Sequence, residues 1–537
     1  VADGPPPVVN DDPAVSDDDP AGTDDVPAIT NDPPQSDDVA AVTNDPAATD
    51  DDPAVSDDVP AITNDPPQSD DVAAVTNDPA VSDDDHAAEL ATRSSGRDWP
   101  VFLGPTRDSR SSETGISTTW PAAGPPIVWQ KELGMGYGMG TISRGRYFYF
   151  DRWDDTARVT CLNSKTGKEL WRFEYATDYE DTFGYNNGPR CSPVVDGDRL
   201  FVYGAEGDLH CLDVSDGSLI WRFDTFKEFG VVQNFFGVGS TPVVAGDLLI
   251  CMVGGSPPGS LGLYDSYGNV DGNGSGIVAF DKSTGEVKYK ITNELASYAS
   301  LQLATIDGRS WCFAFCRGGL LGFAPQTGKV DFHYPWRSRM LESVNASMPV
   351  VVGNEVFISE TYQSGSSILA VRPQGDEGSW KDKTNVREKA MKTHWNTAVY
   401  HDGYLYGCSG RNPPDADLRC IEWKTGKVMW VKQQPPLSRE RSSLMYVDGH
   451  FVCLGEYGSL RLLKANPNKY EEVAQVILKR GVPVGEQLFG PQPMVRPLLR
   501  YPAWAAPILS HGLLYVRGKD RLVCLELIPQ STADSSP

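Results

Sequence analysis

The sequence predicts an all-β fold built from repeated four-stranded sheets, and three observations carry this prediction. Residues 191–223 divide into four short apolar runs separated by Gly/Asp turn signals, the pattern of antiparallel strands joined by tight hairpins. This unit recurs through the second part of the chain, which indicates a repeat architecture. The last unit has three strands, while an extra strand-like segment, IVWQKEL at 127–133, precedes the first unit. A ring closed by pairing that segment with the last unit explains both features, because closure leaves no exposed sheet edge.

Eight opening strands set the predicted number of sheets. They begin with GTIS (140–143) and end with APIL (506–509), and the six between them are SPVV, TPVV, LQLA, MPVVV, TAVY and SLMYV. A closing turn and aromatic strand recur as TGKELW, DGSLIW, TGEVKY, TGKVDF and TGKVMW. The sequence therefore predicts an eight-bladed β-propeller over residues 127–527, closed by the N-terminal strand, with a seven-bladed ring as the main competitor.

The charge is concentrated in an N-terminal segment, residues 1–95. Residues 1–85 contain 24 Asp with no Glu, Lys or Arg, and the 24-residue run that starts at Asp24 starts again at Asp57. Such a segment buries too little apolar surface to offset its ordering entropy, so we expect a disordered, extended tail. A solvated spacer is the simplest interpretation, and weak contact with Ca²⁺ or a cationic surface is the alternative. Nucleic acid is excluded as a partner of the tail, since phosphate would repel it.

The remaining segments outside the ring are short. Residues 96–126 are rich in Pro, Gly and Ser and form a predicted lead-in segment on the ring surface, anchored by Trp99 and Trp120. Residues 528–537 form a predicted disordered C-terminus. No run of about 18 apolar residues occurs, so no membrane-spanning segment is predicted. The chain starts at Val1 rather than Met, which indicates that an N-terminal segment was removed or omitted, and a signal peptide is not visible.

The ten cysteines are predicted to be structural thiols. Four of them, in VTCLN, LHCLD, LRCIE and LVCLE, fall at one position of the repeat, and that position in different blades is too far apart to bridge. Buried Cys behaves as a small apolar residue. Cysteine use therefore does not settle the redox compartment.

The loops that enter the opening strands contain the candidate ligand site. In a propeller these loops converge at one mouth of the central channel, and here they are rich in Arg, Asn, His and aromatic residues. Such groups suit an anionic or carbonyl-rich planar ligand. The alternative is that they only brace the blades by hydrogen bonds. The predicted site residues are Arg190, Asn345, His394, Asn396, Arg441 and Trp504.

A weaker candidate is a calcium loop in GNVDGNGSGIVAF (268–280). Asn269, Asp271 and Asn273 follow the first half of a calcium-binding pattern, but Phe280 stands where the last acidic ligand belongs. A Gly-rich extension of a β-turn is the competing interpretation. Motifs for a serine nucleophile or a zinc protease are absent from the sequence, so no catalytic residue is assigned.

The recurring pattern S-P-V-V…G…L-x-C/A-L/F-D-x-x-T-G-K-x-x-W resembles the PQQ-repeat β-propeller family, which includes quinoprotein alcohol dehydrogenases and the outer-membrane assembly lipoprotein BamB. Residues 394–411 and 501–518 are similar to a bacterial, BamB-like branch of it. The resemblance covers residues 127–527 and implies eight blades, export to the periplasm or cell envelope and, in some members, bound pyrroloquinoline quinone (PQQ) with calcium. Quinoprotein dehydrogenases carry two adjacent cysteines under the cofactor, and this chain has no Cys-Cys pair.

Three functions follow as hypotheses, because a fold alone does not decide activity. The first is a non-enzymatic, BamB-like scaffold, expected to be a monomer, that binds protein partners through its loops. The second is a PQQ-dependent oxidoreductase. The third is a propeller that binds a small anionic ligand or a glycan.

Overall fold

The computed structural model describes residues 75–77, 90, 92, 96–232, 234–372, 380–382, 390–412, 415–433, 440–479 and 497–530. Contacts divide the chain into residues 1–69 and 70–537, and every described residue belongs to the second unit. Most of the predicted acidic tail and residues 531–537 of the predicted C-terminal segment lie outside the described residues.

The structure is an eight-bladed β-propeller, which confirms the predicted fold and blade number. Each sheet has four antiparallel strands from the ring, and sheets follow one another in chain order. In blades 1 to 4 the strands from first to fourth are β3 (Thr141–Ser143), β4 (Arg146–Trp153), β5 (Thr156–Asn163), β6 (Glu169–Ala176); β7 (Val194–Asp196), β8 (Arg199–Tyr203), β9 (Asp208–Asp213), β10 (Leu219–Asp224); β11 (Val243–Ala245), β12 (Leu248–Met252), β13 (Ile277–Asp281), β14 (Val287–Ile291); and β15 (Gln302–Ile306), β16 (Arg309–Phe315), β17 (Gly319–Phe323), β18 (Val330–Pro335). In blades 5 to 8 they are β19 (Val350–Val352), β20 (Glu355–Glu360), β21 (Gly365–Val371), β22 (Trp380–Asp382); β23 (Val399–His401), β24 (Tyr404–Ser409), β25 (Asp417–Glu422), β26 (Val428–Gln433); β27 (Ser442–Val447), β28 (His450–Gly455), β29 (Ser459–Lys464), β30 (Glu472–Ile477); and β31 (Ile508–Ser510), β32 (Leu513–Arg517), β33 (Arg521–Glu526), β2 (Ile127–Glu132).

The first strands line the centre of the ring, and the N-terminal strand closes it. First strands of neighbouring blades contact each other, as β3 does with β7 and β23 with β27. Strand β2 pairs antiparallel with β33, with Trp129 opposite Cys524, and so supplies the fourth strand of blade 8. Hydrogen bonds between the first and last strands of the propeller close the ring, so the free edges that a linear array of sheets would leave are absent.

Two elements lie outside the 32 ring strands. Strand β1 (Val75–Asn77), inside the segment predicted to be disordered, pairs antiparallel with the outer strand β6. The one helix among the described residues, α1 (Thr225–Phe229), follows blade 2; Asp224 caps its start and Gly230, at φ 62°, ends it. None of the described helices has the length and apolar character needed to cross a membrane.

The burial of each strand follows from its place in the blade. Second strands such as β8 and β12 are buried almost throughout, because neighbouring blades cover both faces of the sheet. Outer strands alternate, as in β18, where Phe332 and Tyr334 are buried between exposed neighbours. All ten cysteines are buried and none forms a disulfide, which confirms their prediction as structural thiols.

In several blades an aromatic residue of the outer strand hydrogen-bonds to the next blade. The indole nitrogen of Trp171 donates to the carbonyl oxygen of Val214 at 3.1 Å, and that of Trp221 donates to Lys282 at 3.2 Å. Trp129 makes the same bond to Ser164 at 2.9 Å across the closure. The aromatic ring fills the space between two sheets while its polar atom satisfies a turn carbonyl, so a TGKxxW repeat encodes the contact between blades.

The lead-in segment covers the face of the ring opposite the mouth, where first and second strands are joined. Its Asp98 accepts from the Arg144 amide at 2.9 Å, and its Glu113 accepts from the Gly512 amide at 2.7 Å. Trp99 is buried and Trp120 packs partly buried against the core. The predicted anchoring of residues 96–126 on the ring is therefore present.

Candidate functional site at the channel mouth

Two sets of loops open on one face of the ring. Alternate strands run in opposite directions, so the loop that enters each first strand and the hairpin between the second and third strands lie at the same end of the blade. We call this face the mouth face. It contains the predicted ligand residues and also hairpin residues that the sequence reasoning did not consider.

The entry loops of all eight blades contact one another in a closed ring, through side chains and backbone groups. The Arg190 guanidinium lies 5.6 Å from the centre of the Phe236 ring and 5.7 Å from that of Tyr137. Tyr137 and Trp504 have ring centres 4.8 Å apart. Farther round, the Phe236 amide donates to the Tyr298 hydroxyl, and the Tyr298 amide donates to the Asn345 carbonyl oxygen. Tyr362 packs in one apolar cluster with Val344 and hydrogen-bonds to His394. His394 contacts Arg441, whose guanidinium lies over the Trp504 ring. In blade order the ring is Tyr137, Arg190, Phe236, Tyr298, Asn345, His394, Arg441 and Trp504, with Tyr362 between Asn345 and His394.

Arg441 is the centre of a buried polar network in blades 6 to 8. Its Nε and Nη2 donate to the carboxylate of Glu456 at 3.0 and 2.6 Å, and the Glu456 side chain is fully buried. Its Nη1 donates to the carbonyl oxygen of Arg411 at 2.9 Å. The indole nitrogen of Trp504 adds a bond to Glu456 at 3.1 Å. Burial lowers the pKa of Arg441, but the hydrogen bonds and charge of Glu456 outweigh it and raise the pKa.

His394 is held as a neutral imidazole at the edge of this network. Its Nδ1 lies 3.0 Å from Nη1 of Arg441, and its Nε2 lies 3.0 Å from the Tyr362 hydroxyl. Arginine can only donate, so Nδ1 accepts and Nε2 carries the proton. Burial, followed by the charges of Arg441 and Arg411, holds the pKa of His394 well below 6.5.

The other predicted residues are bound to the protein itself. Asn345 donates to the carbonyl oxygen of Cys316 at 2.8 Å, and Asn396 donates to that of Cys408 at 2.9 Å. Arg190 forms a buried ion pair with Asp181. The six residues thus share one mouth, and their polar groups hydrogen-bond to other groups of the protein. Their role in binding a ligand stays a prediction.

The three residues predicted as a calcium loop lie in a long hairpin between β12 and β13. The Asn273 side chain is engaged within the loop: its amide donates to the carbonyl oxygens of Phe229 and Ser256 at 2.8 and 2.9 Å, and its oxygen accepts from Ser275. Asn269 and Asp271 are exposed. Over the described part of the chain, no group of three or more His, Cys, Asp or Glu side chains is arranged to hold a metal ion. Calcium at this loop also stays a prediction.

Sequence reasoning missed the partners of the predicted residues and the exposed aromatic residues of the mouth face. Glu456 and Arg411 lie in hairpins between second and third strands, which also open on this face. The acidic residue in LGEYGSL was the available signal for Glu456. Every exposed aromatic side chain of the described residues lies on this face; they are Trp153, Phe183, Tyr185, Tyr264, Tyr267, Tyr457 and Tyr501.

These features define a PQQ-repeat type of eight-bladed propeller with an aromatic mouth face. Residues 155–432 match the family model described as "Outer membrane protein assembly factor BamB", and the chain belongs to this family.

The chain is also similar to individual proteins. The curated protein named outer membrane protein assembly factor BamB of Burkholderia pseudomallei (strain K96243) is 23% identical over 366 residues, 66% of this chain and 80% of that protein. The solved quinohemoprotein alcohol dehydrogenase from Comamonas testosteroni shares the fold, with a TM-score of 0.54 and 12% identity over 84% of this chain and 83% of that chain. BamB from Moraxella catarrhalis matches at a TM-score of 0.34 and 11% identity over 74% and 84% of the two chains.

Proposed function

We propose that this protein is a non-enzymatic binding propeller of the bacterial cell envelope, which engages a protein partner through the mouth face. The observation that carries the proposal is the one-sided distribution of exposed aromatic residues. Tyr267 is 86% exposed and Tyr185 is 66% exposed, and both lie on mouth-face loops. The exposed large aliphatic residues outside this face lie mainly on outer strands, such as Leu219 and Val431.

Exposed tyrosines grouped on loops favour recognition of another protein. Aromatic residues are enriched at the centres of protein interfaces, where they supply contact area with little loss of side-chain entropy. The centre of the Phe183 ring lies 6.0 Å from that of Tyr185 and 6.1 Å from that of Tyr264, so these rings form one surface. The relative from Burkholderia pseudomallei is named for outer membrane protein assembly, which supports a protein partner in the envelope.

The residues around Arg441 do not fit a bound quinone. The adjacent cysteines that resemblance to quinoprotein dehydrogenases would require are missing from the sequence. Each nitrogen of the Arg441 guanidinium already donates to a protein acceptor. A quinone contacting this arginine would have to displace the buried Glu456 or the Arg411 carbonyl, which would leave a charge or a polar group unpaired.

The test is site-specific photo-crosslinking in the native host. We expect a photoreactive amino acid at Tyr185 or Tyr267 to capture one defined envelope protein, whereas the same amino acid at Leu219, which is 45% exposed on an outer strand, captures none. Equal capture at all three positions, or capture at Leu219 alone, would contradict the proposal.

A second measurement separates the other two hypotheses. Absorption spectra and mass spectrometry of the protein purified from its native host would detect a bound quinone, or a glycan or small anion held at the Arg441 network. We expect none of these. A stoichiometric quinone would replace the scaffold proposal by the oxidoreductase, and a glycan or anion retained at the Arg441 network would replace it by the small-ligand propeller.

A further inference from the structure

Two arginine side chains converge on one backbone oxygen between blades 4 and 5. Arg317 lies in the hairpin between β16 and β17, and its Nη2 donates to the carbonyl oxygen of Leu341 at 3.1 Å. Arg337 follows β18, and its Nη2 donates to the same oxygen at 3.3 Å. Its Nη1 also donates to the carbonyl oxygen of Arg317 at 3.4 Å. Two positive charges therefore share a single neutral acceptor.

The nearby carboxylates are engaged elsewhere. Glu294 lies 3.0 Å from His333 and accepts from the Gly318 amide at 2.7 Å. Glu360 accepts from the backbone amides of residues 362, 364 and 365. Among the described residues, neither Arg317 nor Arg337 has a carboxylate within ion-pair distance. The positive charge at this place is therefore not balanced by direct contact.

Arg317 differs from the other buried arginines of the described chain. The described residues include five buried arginines, Arg317 among them. The other four either pair with a carboxylate or donate from both terminal nitrogens to backbone carbonyls: Arg152, Arg441, Arg461 and Arg517. Arg317 is 5% exposed, and its buried Nη1 has no hydrogen-bond partner. Burial and the neighbouring charge of Arg337 lower the pKa of Arg317 to about 10. A buried guanidinium without a counter-charge is costly, so an anion that pairs with it would stabilise the fold.

The two arginines have an exposed side and an apolar side. Arg337 is exposed on the mouth face, whereas Arg317 is buried behind it. The unpartnered Arg317 lines a pocket together with Leu263 and Val270 of the blade 3 hairpin. The Phe235 ring centre lies 5.6 Å from the Arg317 guanidinium, a contact that attracts the cation without neutralising it.

We propose that Arg317 and Arg337 form a binding site for a small oxyanion, a phosphate or a carboxylate, taken up from solution. Guanidinium groups donate two parallel hydrogen bonds to such anions, and the free Nη1 of Arg317 supplies a donor that the protein leaves unused. This site is separate from the Arg441 network and does not depend on a protein partner at the mouth face.

The experiment is a titration of the full chain with inorganic phosphate in Tris chloride buffer at constant ionic strength, followed by the melting temperature and by calorimetry. We expect saturable stabilisation of the wild type, and binding at least tenfold weaker in Arg317→Gln and Arg337→Gln. Arg339→Gln is the matched control, because Arg339 is an exposed arginine two residues along the same loop, and it should bind like the wild type. A parallel titration with acetate shows whether the site accepts a carboxylate as well as a phosphate.

Two results would overturn the proposal. One is the absence of saturable binding of either anion to the wild type up to tens of millimolar. The other is equal binding by the wild type and the Arg337→Gln variant, whose changed side chain is exposed and whose folding is therefore not at risk.

Discussion

Two buried arginines of the same mouth face have opposite surroundings. Arg441, between blades 6 and 8, is enclosed by Glu456, His394 and a backbone carbonyl, so each of its nitrogens has a partner. Arg317, at blade 4, is equally buried but shares one carbonyl with Arg337 and keeps a free Nη1. The pKa of Arg441 is raised and that of Arg317 is lowered, which expresses the same difference in electrostatic terms.

This difference separates the satisfied Arg441 from the unsatisfied Arg317 within one ring of loops, and it is the basis of the binding role that we propose for Arg317. The satisfied ion pair of Arg441 and Glu456 links three blades, and its hydrogen-bond donors are already engaged by the protein. An unsatisfied guanidinium beside an exposed one leaves hydrogen-bonding capacity for a solute.

Arg441→Ala should destabilise the protein by about 3–5 kcal/mol, because it leaves the fully buried Glu456 carboxylate without its counter-charge. Urea unfolding at pH 7 measures the free energy. The control is Arg144→Ala, which removes an exposed ion pair with Asp198 and should change stability by less than about 1 kcal/mol. Similar small losses in both variants would show that Arg441 is not a brace.

Trp504→Phe should cost about 1.5–3 kcal/mol, the range for a hydrogen bond to a charged group, since it deletes the donor to Glu456 and keeps a ring beside Tyr137. Urea unfolding again measures the loss. Trp120→Phe, which removes a bond to the carbonyl oxygen of Ser117 in the lead-in segment, is the comparison and should cost less. A cost for Trp504→Phe no greater than that of Trp120→Phe would contradict the network.

Acidification should lower the free energy of unfolding through His394, which lies beside Arg441. The pKa of His394 lies well below 6.5 in the folded protein, so below pH 6.5 the unfolded chain binds a proton that the folded chain resists. Stability therefore falls as pH falls, by about 1.4 kcal/mol per pH unit for this residue.

The check is urea unfolding at pH 7.0 and 5.5 for the wild type and His394→Gln. The variant should lose less stability between these pH values. His210, whose pKa burial lowers to about 3, contributes equally to both proteins and cancels. An identical pH dependence in the two proteins would show that His394 is not held neutral by the fold.

The fold could be predicted from the sequence because the same strand and turn patterns recur along the chain. Opening strands, TGK turns and the outer aromatic residue recur in register, and the unpaired IVWQKEL segment required closure with the last blade. The convergence of Arg190, Asn345 and Trp504 on one mouth followed from propeller symmetry in the same way.

The partners at the mouth could not be predicted, because they depend on which side chains meet across blades. Glu456 lies in an ordinary hairpin of the repeat, and only the packing of three blades places it against Arg441. The lack of a counter-charge at Arg317 is a property of three-dimensional surroundings that no local pattern encodes. The exposed tyrosines likewise carry no signal in the sequence, because only the fold shows that they lie on one face.

The most direct test of the contrast between the two arginines is one comparison of unfolding free energies in a buffer free of phosphate and carboxylates. Arg441→Met should lose about 3–5 kcal/mol, because it strands a buried carboxylate. Arg317→Met should stay within about 1 kcal/mol of the wild type or gain stability, because an apolar side chain replaces a buried charge that lacks a counter-charge. Equal losses in the two variants, or a greater loss for Arg317→Met, would contradict the division of the mouth into a satisfied and an unsatisfied half.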